Sequence, residues 1–418
     1  MARQDRLKPA ALALGRLLGV EPDEGARVAW SCALFFFVFA SWYALRPVRD
    51  AMGIAGSAKD LPRLFLVTLG VTLAVSPALS TLLSRIPRRR APHVVYRFLT
   101  ATLIAFFFAL RGAGGSPSPL GARAFFVWAS VLNLVEITLA WALMADVFSR
   151  AQGVRLFALI GAGGTLGAMF GSLATSIVVA RFEVASALLL AAALLECAVR
   201  AADGVVASLR EEDSGAKVAP ARGDALGWLR RALASPFFLA ICAYLALFTL
   251  TSTVLYLEQG RIVKASLLDT AHRAELFAQM DLAVNTIAFV LQVFVVGRAL
   301  RVLGVGPALT VLPVATFAFF AAIRAAPTLA VLVGCQVARR ALDYALAKPA
   351  REVLFTIVKP EDKYKAKSFI DTFVYRSGDA LGALGFEGVG GAAIVAGMAG
   401  VCLLWAAIGL ALGRVRAA

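Results

Sequence analysis

Long apolar runs, separated by short polar and basic segments, recur along the whole chain. A helix needs about 20 apolar residues to cross a bilayer, and twelve runs approach or exceed that length. The predicted spans are residues 28–45, 61–84, 94–110, 124–148, 156–179, 184–202, 236–257, 276–296, 307–323, 328–347, 369–387 and 392–412. The sequence lacks the short alternating segments of a membrane barrel. We therefore predict an all-α membrane protein with twelve transmembrane helices.

The longest polar interruption divides these spans into two sets of six. The predicted segments are a cytoplasmic tail at 1–26, an N-terminal bundle at 27–202, a cytoplasmic linker at 203–235, a C-terminal bundle at 236–413 and a cytoplasmic tail at 414–418. Two halves of six helices around a midplane site are typical of major-facilitator-type transporters. Weak internal repetition supports pseudo-symmetric 6+6 halves, since residues 164–168 of span five resemble residues 379–383 of span eleven.

Composition agrees with this interpretation and explains the strong positive charge. The chain is 60% hydrophobic, only 16% of its residues are charged, and its net charge is +16. Most lysines and arginines fall on one side of the predicted topology, where loops attract anionic headgroups and set orientation. We therefore expect both termini on the cytoplasmic side, a lipid bilayer as surroundings, and no binding of nucleic acid.

Nothing in the sequence indicates an enzyme, a metal site or a cofactor. The five cysteines lie within apolar runs without metal-ligand spacing, so we interpret them as small packing residues. The chain has no GxxxxGK[ST] motif. Its glycine-rich run at 161–171 lies inside an apolar span, where glycines let helices approach closely. We predict that this run packs helices and does not bind phosphate.

Ionisable residues within or beside the spans are the functional candidates, because charge at membrane depth is costly unless it faces protein or water. Arginine forks suit phosphate and carboxylate oxygens. We predict a positive cavity for a small anion, with one cluster of cations towards each mouth. Its members are Arg46, Arg49, Arg261, Lys264, Lys348 and Arg351.

A second set of charges is predicted to couple or gate transport. It comprises Asp50, Glu136, Asp146, Arg339, Arg340, Asp343, Asp371, Arg376 and Asp379. Asp343 follows Arg339 by four residues and Arg340 by three, so it can pair with either arginine on one helix face. Arg376 and Asp379 have the same spacing of three. Glu136 has no compensating charge nearby, and is either a protonatable coupling group or a partner of a cavity arginine.

Several stretches resemble one transporter family. They are RPVRDA at 46–51, WALMADVFSRAQGVRLF at 141–157, TSTVLYLEQGRIVK at 251–264, KPAREVLFTIV at 348–358 and KYKAKSFIDTFVYRSGDALGA at 363–383. Over most of its length the chain resembles the ATP/ADP translocase-like branch of the major facilitator superfamily. It is most similar to the free-living bacterial relatives of the transporters used by plastids and intracellular parasites. The resemblance implies nucleotide exchange across a bacterial inner membrane, with the protein as a monomer.

The resemblance also implies roles for individual residues. The family's motif positions correspond to Arg46, Arg49, Asp50, Glu258, Lys264, Pro349, Arg351, Glu352, Lys365, Lys367 and Asp371. It implies phosphate recognition by Arg49 and Arg351, and adds Glu258 to the predicted site as a gate or coupling residue. The chain departs from the family where key lysines are arginines, and where an acidic-Leu-Trp motif of the fourth span is replaced by residues 126–128, Phe-Val-Trp.

Three functions remain open from the sequence. The first is alternating-access exchange of nucleotides or a related phosphorylated anion. The second is proton-coupled transport of another organic anion, in which Glu136, Glu258 or Asp146 takes the proton. The third is a membrane scaffold without transport activity.

Overall fold

The computed structural model describes most of the chain. The described residues are 20–21, 23–56, 60–86, 90–112, 118–209, 230, 232–354, 370–389 and 391–414. Most of the predicted N-terminal tail and of the linker lie outside them. Most of the basic connection between predicted spans ten and eleven, for which the sequence predicts an amphipathic surface helix, also lies outside them, as does the side chain of Asp371.

The described residues form twelve long helices and contain no strand, which confirms the predicted fold class. The first half consists of α1 (Gly25–Gly56), α2 (Leu61–Arg85), α3 (Ala91–Gly112), α4 (Pro119–Val147), α5 (Arg150–Arg181) and α6 (Ser186–Ala207). The second half consists of α7 (Pro236–Ser266), α8 (Thr270–Leu303), α9 (Val305–Ala325), α10 (329–354), α11 (370–389) and α12 (Gly391–Arg414). Eight of the twelve are long and apolar enough to cross a membrane by length and composition.

Several helices continue beyond the ends that hydropathy predicts, and three of these extensions carry charged residues of the predicted site. Helix α1 runs to Gly56 with Pro47 inside it, α7 runs to Ser266, and α10 runs to residue 354. A proline inside a helix removes one backbone hydrogen bond, a loss that transmembrane helices tolerate. Hydropathy ends a span where charges begin, but several of these charges are buried against protein, among them Asp50, Glu258 and Arg351. The residues from Arg46 to Asp50 therefore lie within a helix and not after its end.

Glycines set the closest helix contacts in both halves. A Cβ atom on Gly167 of α5 would collide with the backbone carbonyl of Phe36 on α1. In the second half, a Cβ atom on Gly382 of α11 would approach the backbone carbonyl of Leu250 on α7. The repeated sequence pattern thus corresponds to a repeated packing arrangement, with α1 and α5 equivalent to α7 and α11. The glycine-rich run is a packing surface.

The two halves meet along a limited set of helices. Helix α8 packs against α1 and α5, and α11 packs against α2. Between these contacts the halves enclose a cavity of about 340 Å³, which we call the central cavity. Its walls come from α1, α2 and α4 of the first half and from α7, α8, α10 and α11 of the second.

Candidate functional site

The central cavity brings together charged residues that are far apart in the sequence. Eight of the predicted site residues line it: Arg46, Arg49, Asp50, Arg339, Arg340, Asp343, Arg376 and Asp379. They come from one helix of the first half and two of the second. A further aspartate, Asp281 of α8, also lines the cavity and was not among the predicted residues.

Asp281 is the shared counterion of two arginines from opposite halves. Its Oδ1 atom lies 3.2 Å from Nη1 of Arg46 and 2.5 Å from Nη2 of Arg340. The contact with Arg340 is an ion pair without hydrogen-bond geometry. The Asp281 side chain is only 3% exposed. Glu136 was selected because it is an acidic residue within an apolar predicted span. Asp281 lies within the apolar run 276–296, so the same criterion would have identified it.

A second cluster centres on Asp50 of α1. Arg49 donates to Oδ1 of Asp50 from Nε at 2.9 Å and from Nη2 at 2.6 Å. The Tyr256 hydroxyl of α7 donates to the same oxygen at 2.8 Å, across the boundary between the halves. The Arg49 guanidinium also lies 5.2 Å from the ring centroids of Trp42 and Phe126. These aromatic contacts and the carboxylate together fix its position.

Asp343 pairs with Arg351 instead of with Arg339 or Arg340, which corrects the sequence prediction. Nη2 of Arg351 donates to Oδ1 of Asp343 at 3.0 Å. The reason is a five-residue π turn that begins at Asp343. A π turn adds one residue to the helical repeat, so residues eight apart occupy the face that residues seven apart share in a regular α-helix.

The same π turn is stabilised by a neighbouring helix. A π turn displaces backbone hydrogen bonds from their regular partners. Nε2 of Gln292 on α8 donates to the backbone carbonyl of Tyr344 at 2.8 Å. This contact satisfies an acceptor in the turn and holds Asp343 and Tyr344 at the cavity wall.

Arg339 lines the cavity without a carboxylate partner among the described residues. Its Nη2 atom donates to the hydroxyl of Ser252 at 2.6 Å, and its Nε atom is buried without a hydrogen-bond partner. The ring of Phe248 lies 5.4 Å from the Arg339 guanidinium and 4.7 Å from that of Arg351. The Phe248 ring therefore contacts two guanidinium groups. Arg351 does not line the cavity and lies behind its wall.

The ion pair predicted in span eleven is present. Nη1 of Arg376 lies 3.6 Å from Oδ2 of Asp379. The hydroxyl of Thr253 on α7 donates to Oδ1 of Asp379 at 2.8 Å. Uncharged residues also line the cavity, and Asn133 Oδ1 and Thr68 Oγ1 are buried without a hydrogen-bond partner among the described residues.

Five predicted substrate contacts do not line the central cavity: Arg351, which lies behind its wall, and Glu258, Arg261, Lys264 and Lys348. Helix α7 continues to Ser266, and its residues Glu258, Arg261 and Lys264 are not part of the cavity lining. Arg261 instead donates to Glu258 from Nε at 2.9 Å. Lys348 is exposed on α10. The cations that the structure does gather form one central cluster and not two clusters at opposite mouths.

Two of the predicted coupling acids also lie away from the cavity. Glu136 is fully buried in α4, and neither of its carboxylate oxygens has a hydrogen-bond partner among the described residues. It makes no ion pair with a cavity arginine within the described part of the chain. Asp146 is half-buried near the end of α4 and does not line the cavity.

The two halves also contact each other at one end of the central cavity. Nη2 of Arg63 on α2 lies 3.0 Å from Oε1 of Glu387 on α11. The Phe65 ring centroid lies 5.3 Å from that of Tyr256. These residues lie where α2 begins and α7 and α11 approach their ends. These contacts join the two halves on the side of the α1–α2 and α11–α12 connections.

Comparisons with known proteins identify the fold. No protein-family model and no curated protein matches the chain. Among solved structures, a bacterial homologue of the iron transporter ferroportin in an inward-facing state matches with a TM-score of 0.64, 12% identity, and coverage of 94% of this chain and 99% of that one. A bacterial homologue of the human lysosomal transporter Spinster, inward-facing and unoccupied, matches with a TM-score of 0.56, 14% identity, and coverage of 94% and 93%.

The nucleoside transporter NupG matches with a TM-score of 0.54, 15% identity, and coverage of 95% of this chain and 100% of that one. Identities this low establish the fold alone. The chain therefore has the fold of major-facilitator-type transporters, with two six-helix halves around a central cavity.

Proposed function

We propose that this protein is a secondary transporter that works by alternating access, and that its cargo is a phosphorylated, nucleotide-like organic anion moved by exchange. The fold supports transport, because transporters of this architecture bind cargo between two halves that rock about a midplane site. The central cavity of this chain lies in that position. The distribution of lysine and arginine supports an inner-membrane location with both termini in the cytoplasm.

The observation that carries the proposal is the surplus of arginine over aspartate at the central cavity. Arg46 and Arg340 share one carboxylate, and Arg339 has none among the described residues. Uncompensated cations in a low-dielectric cavity attract anions, and guanidinium groups match phosphate oxygens. The same surplus disfavours a cationic cargo such as the iron named for the ferroportin relatives.

Aromatic side chains in the cavity wall support a cargo with a flat organic part. Phe65, Phe126, Phe248, Tyr256 and Phe277 all line the cavity. Aromatic faces stack with nucleobases irrespective of base identity, and each stacked base contributes about 1–3 kcal/mol. Asn133, whose Oδ1 atom has no hydrogen-bond partner among the described residues, lines the same cavity.

An ion pair between the halves supports exchange. Arg46 of the first half contacts Asp281 of the second, and both residues line the cavity. Arg46 and Asp281 are paired when the halves meet here and unpaired when the halves separate. A cargo anion that competes with Asp281 for Arg46 therefore binds these two arrangements with different affinities. A ligand shifts a conformational equilibrium only through such a difference in affinity. The conformational change is then coupled to occupancy, as exchange requires.

Uptake into proteoliposomes tests the proposal. Purified protein is reconstituted into vesicles loaded with unlabelled ADP, into empty vesicles, and into empty vesicles under an imposed proton gradient. Entry of labelled adenine nucleotide into the loaded vesicles alone is the expected result. Equal entry into empty vesicles contradicts exchange, and no entry of any phosphorylated nucleotide with intact protein contradicts the cargo.

The second candidate is proton-coupled transport of another organic anion. The observation that favours it is Glu136, a fully buried carboxyl group with no hydrogen-bond partner among the described residues. Carboxyl groups within membrane spans commonly form proton relays in transporters. Uptake into empty vesicles that depends on the proton gradient and is lost in Glu136→Gln distinguishes this candidate from exchange.

A further inference from the structure

We infer that the central cavity is matched to a cargo group carrying two negative charges, and specifically to the dianion of a phosphate monoester. The inference rests on the proposed function and specifies its cargo. It separates nucleoside monophosphates and similar monoesters from ADP and ATP, which carry about three and four negative charges near neutral pH.

The charge balance begins with three arginine–aspartate pairs, in one of which the aspartate, Asp50, also lies 4.0 Å from Nε of Arg46. Arg49 pairs with Asp50, and Arg376 pairs with Asp379. Arg351, from behind the wall, pairs with Asp343. These three pairs are neutral as units and contribute no net charge to the cavity.

The remaining arginines are in excess over acids. Arg46 and Arg340 share Asp281, which leaves one positive charge uncompensated. Among the described residues, the Arg339 guanidinium contacts Ser252 and the ring of Phe248 and has no carboxylate partner, which leaves a second positive charge. Among the described residues that line the cavity or pair with its lining, six arginines thus oppose four aspartates. The surplus is two positive charges.

The surplus lies in one region of the wall. Arg339 and Arg340 are consecutive on α10, and both line the cavity. Nε of Arg339 is buried and has no hydrogen-bond acceptor among the described residues, and Nη2 of Arg340 has only the ion-pair contact with Asp281. A buried hydrogen-bond donor without an acceptor costs free energy, so a ligand that supplies the acceptor is favoured at this position. A single phosphate group offers three terminal oxygens and two negative charges above its second pKa of about 6.

Charge balance then selects among phosphorylated compounds. A buried charge without compensation is strongly unfavourable, whichever sign it has. A dianion neutralises the surplus, a monoanion leaves one cation unpaired, and a trianion or tetraanion brings negative charge that no described cavity residue neutralises. The cavity therefore binds the monoester dianion more tightly than a phosphodiester, a diphosphate or a triphosphate of the same nucleoside.

The test compares four ligands that differ mainly in charge. Binding of AMP, the methyl ester of AMP, ADP and ATP to the purified full-length protein is measured at pH 7.5 without divalent cations. We expect AMP to bind at least about tenfold more tightly than each of the others, since one unpaired buried charge costs well over 1.4 kcal/mol, the free energy of a tenfold change. Succinate, a dianion with its charges on separate carboxylates, serves as the non-phosphate control.

Charge variants test the inference through ratios of ligand affinities. A substitution that weakens the binding of all ligands equally leaves these ratios unchanged. Arg339→Gln lowers the surplus to one, and the ratio of AMP affinity to methyl-ester affinity should fall at least about tenfold. Asp379→Asn raises the surplus to three, and the ratio of ADP affinity to AMP affinity should rise by a similar factor. Arg63→Gln, which changes an exposed residue outside the cavity, should leave both ratios unchanged. Each variant is first checked for a monodisperse, cooperatively unfolding preparation.

The outcomes separate this inference from the proposed function. Tighter binding of ADP or ATP than of AMP, with ratios that do not move in the variants, overturns the dianion and leaves nucleotide transport standing. Competition by succinate as strong as that by AMP overturns the phosphate assignment. Failure of every phosphorylated ligand to bind overturns the proposed cargo together with this inference.

Discussion

Arg46 and Asp281 form an ion pair of 3.2 Å that joins the two halves of the protein inside the central cavity. Both side chains are largely buried, and Asp281 holds Arg340 as well. This buried pair crosses the interface between the halves. It therefore contributes to the free-energy difference between the arrangement seen here and one in which the halves separate around Arg46 and Asp281. It is also the contact that an anionic cargo would disturb most directly.

A double-mutant cycle measures this contact. Asp281→Asn should destabilise the protein by about 3–5 kcal/mol, because it leaves two buried arginines without their shared carboxylate. Arg46→Gln should destabilise it less, because Asp281 keeps its contact with Arg340. The double variant should lose less than the sum, with a coupling energy of about 0.5–3 kcal/mol. Unfolding by SDS titration in mixed micelles provides the free energies.

The matched control is Arg63 and Glu387, which also pair across the halves but with Arg63 70% exposed. Exposed pairs contribute about 0–1 kcal/mol. A coupling energy for Arg46 and Asp281 no larger than that of the control pair would show that the buried contact is energetically unimportant.

The sequence predicted the architecture well, because membrane helices follow from hydropathy and length. It placed Arg46 after the end of the first span, since the charges from Arg46 to Asp50 lower the local hydropathy. The helix in fact continues to Gly56. Hydropathy records how apolar a segment is, but not whether its charges face lipid or a cavity. The helix ends were therefore the least predictable feature of the fold.

Individual ion pairs were less predictable than the set of charges. The spacing of Arg376 and Asp379 identified a local pair correctly. The pairing of Asp343 with Arg351 was not predicted, because the π turn changes which residues share a face of α10. The residues of the turn give no sequence signal for a π turn. The pairing of Arg46 with Asp281 depends on how the two halves dock. Contacts of that kind are not encoded in any single helix.

Arg351 provides a second prediction, because the structure places it behind Asp343 and outside the cavity wall. Arg351→Gln should destabilise the protein by about 3 kcal/mol, since it leaves the Asp343 carboxylate buried without a cation. Combining it with Asp343→Asn should restore stability and nucleotide affinity, because the pair is removed as a neutral unit. Thermal unfolding and ligand competition are the measurements.

The alternative role for Arg351 is direct phosphate recognition, which the family resemblance implies. In that case Asp343→Asn cannot restore affinity to the Arg351→Gln variant, because the phosphate ligand is still missing. Recovery of stability without recovery of affinity in the double variant would therefore favour direct recognition over positioning of Asp343.

The glycine contact between α1 and α5 gives a third prediction. Gly167→Ala places a Cβ atom against the carbonyl of Phe36, and overpacking of this kind costs about 1–3 kcal/mol. Gly161→Ala in the same helix places its Cβ atom in open space, so it should be neutral or slightly stabilising through higher helix propensity. Thermal unfolding in detergent compares the two variants. Equal stability of both would mean that α1 and α5 do not approach as closely as the structure indicates.

Glu136 distinguishes exchange from proton-coupled transport, and gives the last prediction. Its carboxylate oxygens have no described hydrogen-bond partner, and the residue does not line the cavity. Glutamine has nearly the same shape and cannot release a proton at its side chain. If transport is exchange, Glu136→Gln should preserve nucleotide counterflow within about twofold and leave thermal stability unchanged or higher, since burial of a neutral group costs less than burial of a charge.

The measurement is counterflow into ADP-loaded vesicles at pH 6 and pH 8, for the wild type and for Glu136→Gln. Glu136→Asp is the control that keeps a carboxyl group but shortens the side chain. Loss of transport in Glu136→Gln, together with activity retained in Glu136→Asp, would identify the carboxyl group as essential and move the assignment to proton coupling. Loss in both variants, with stability intact, would likewise contradict the prediction that exchange does not need this residue.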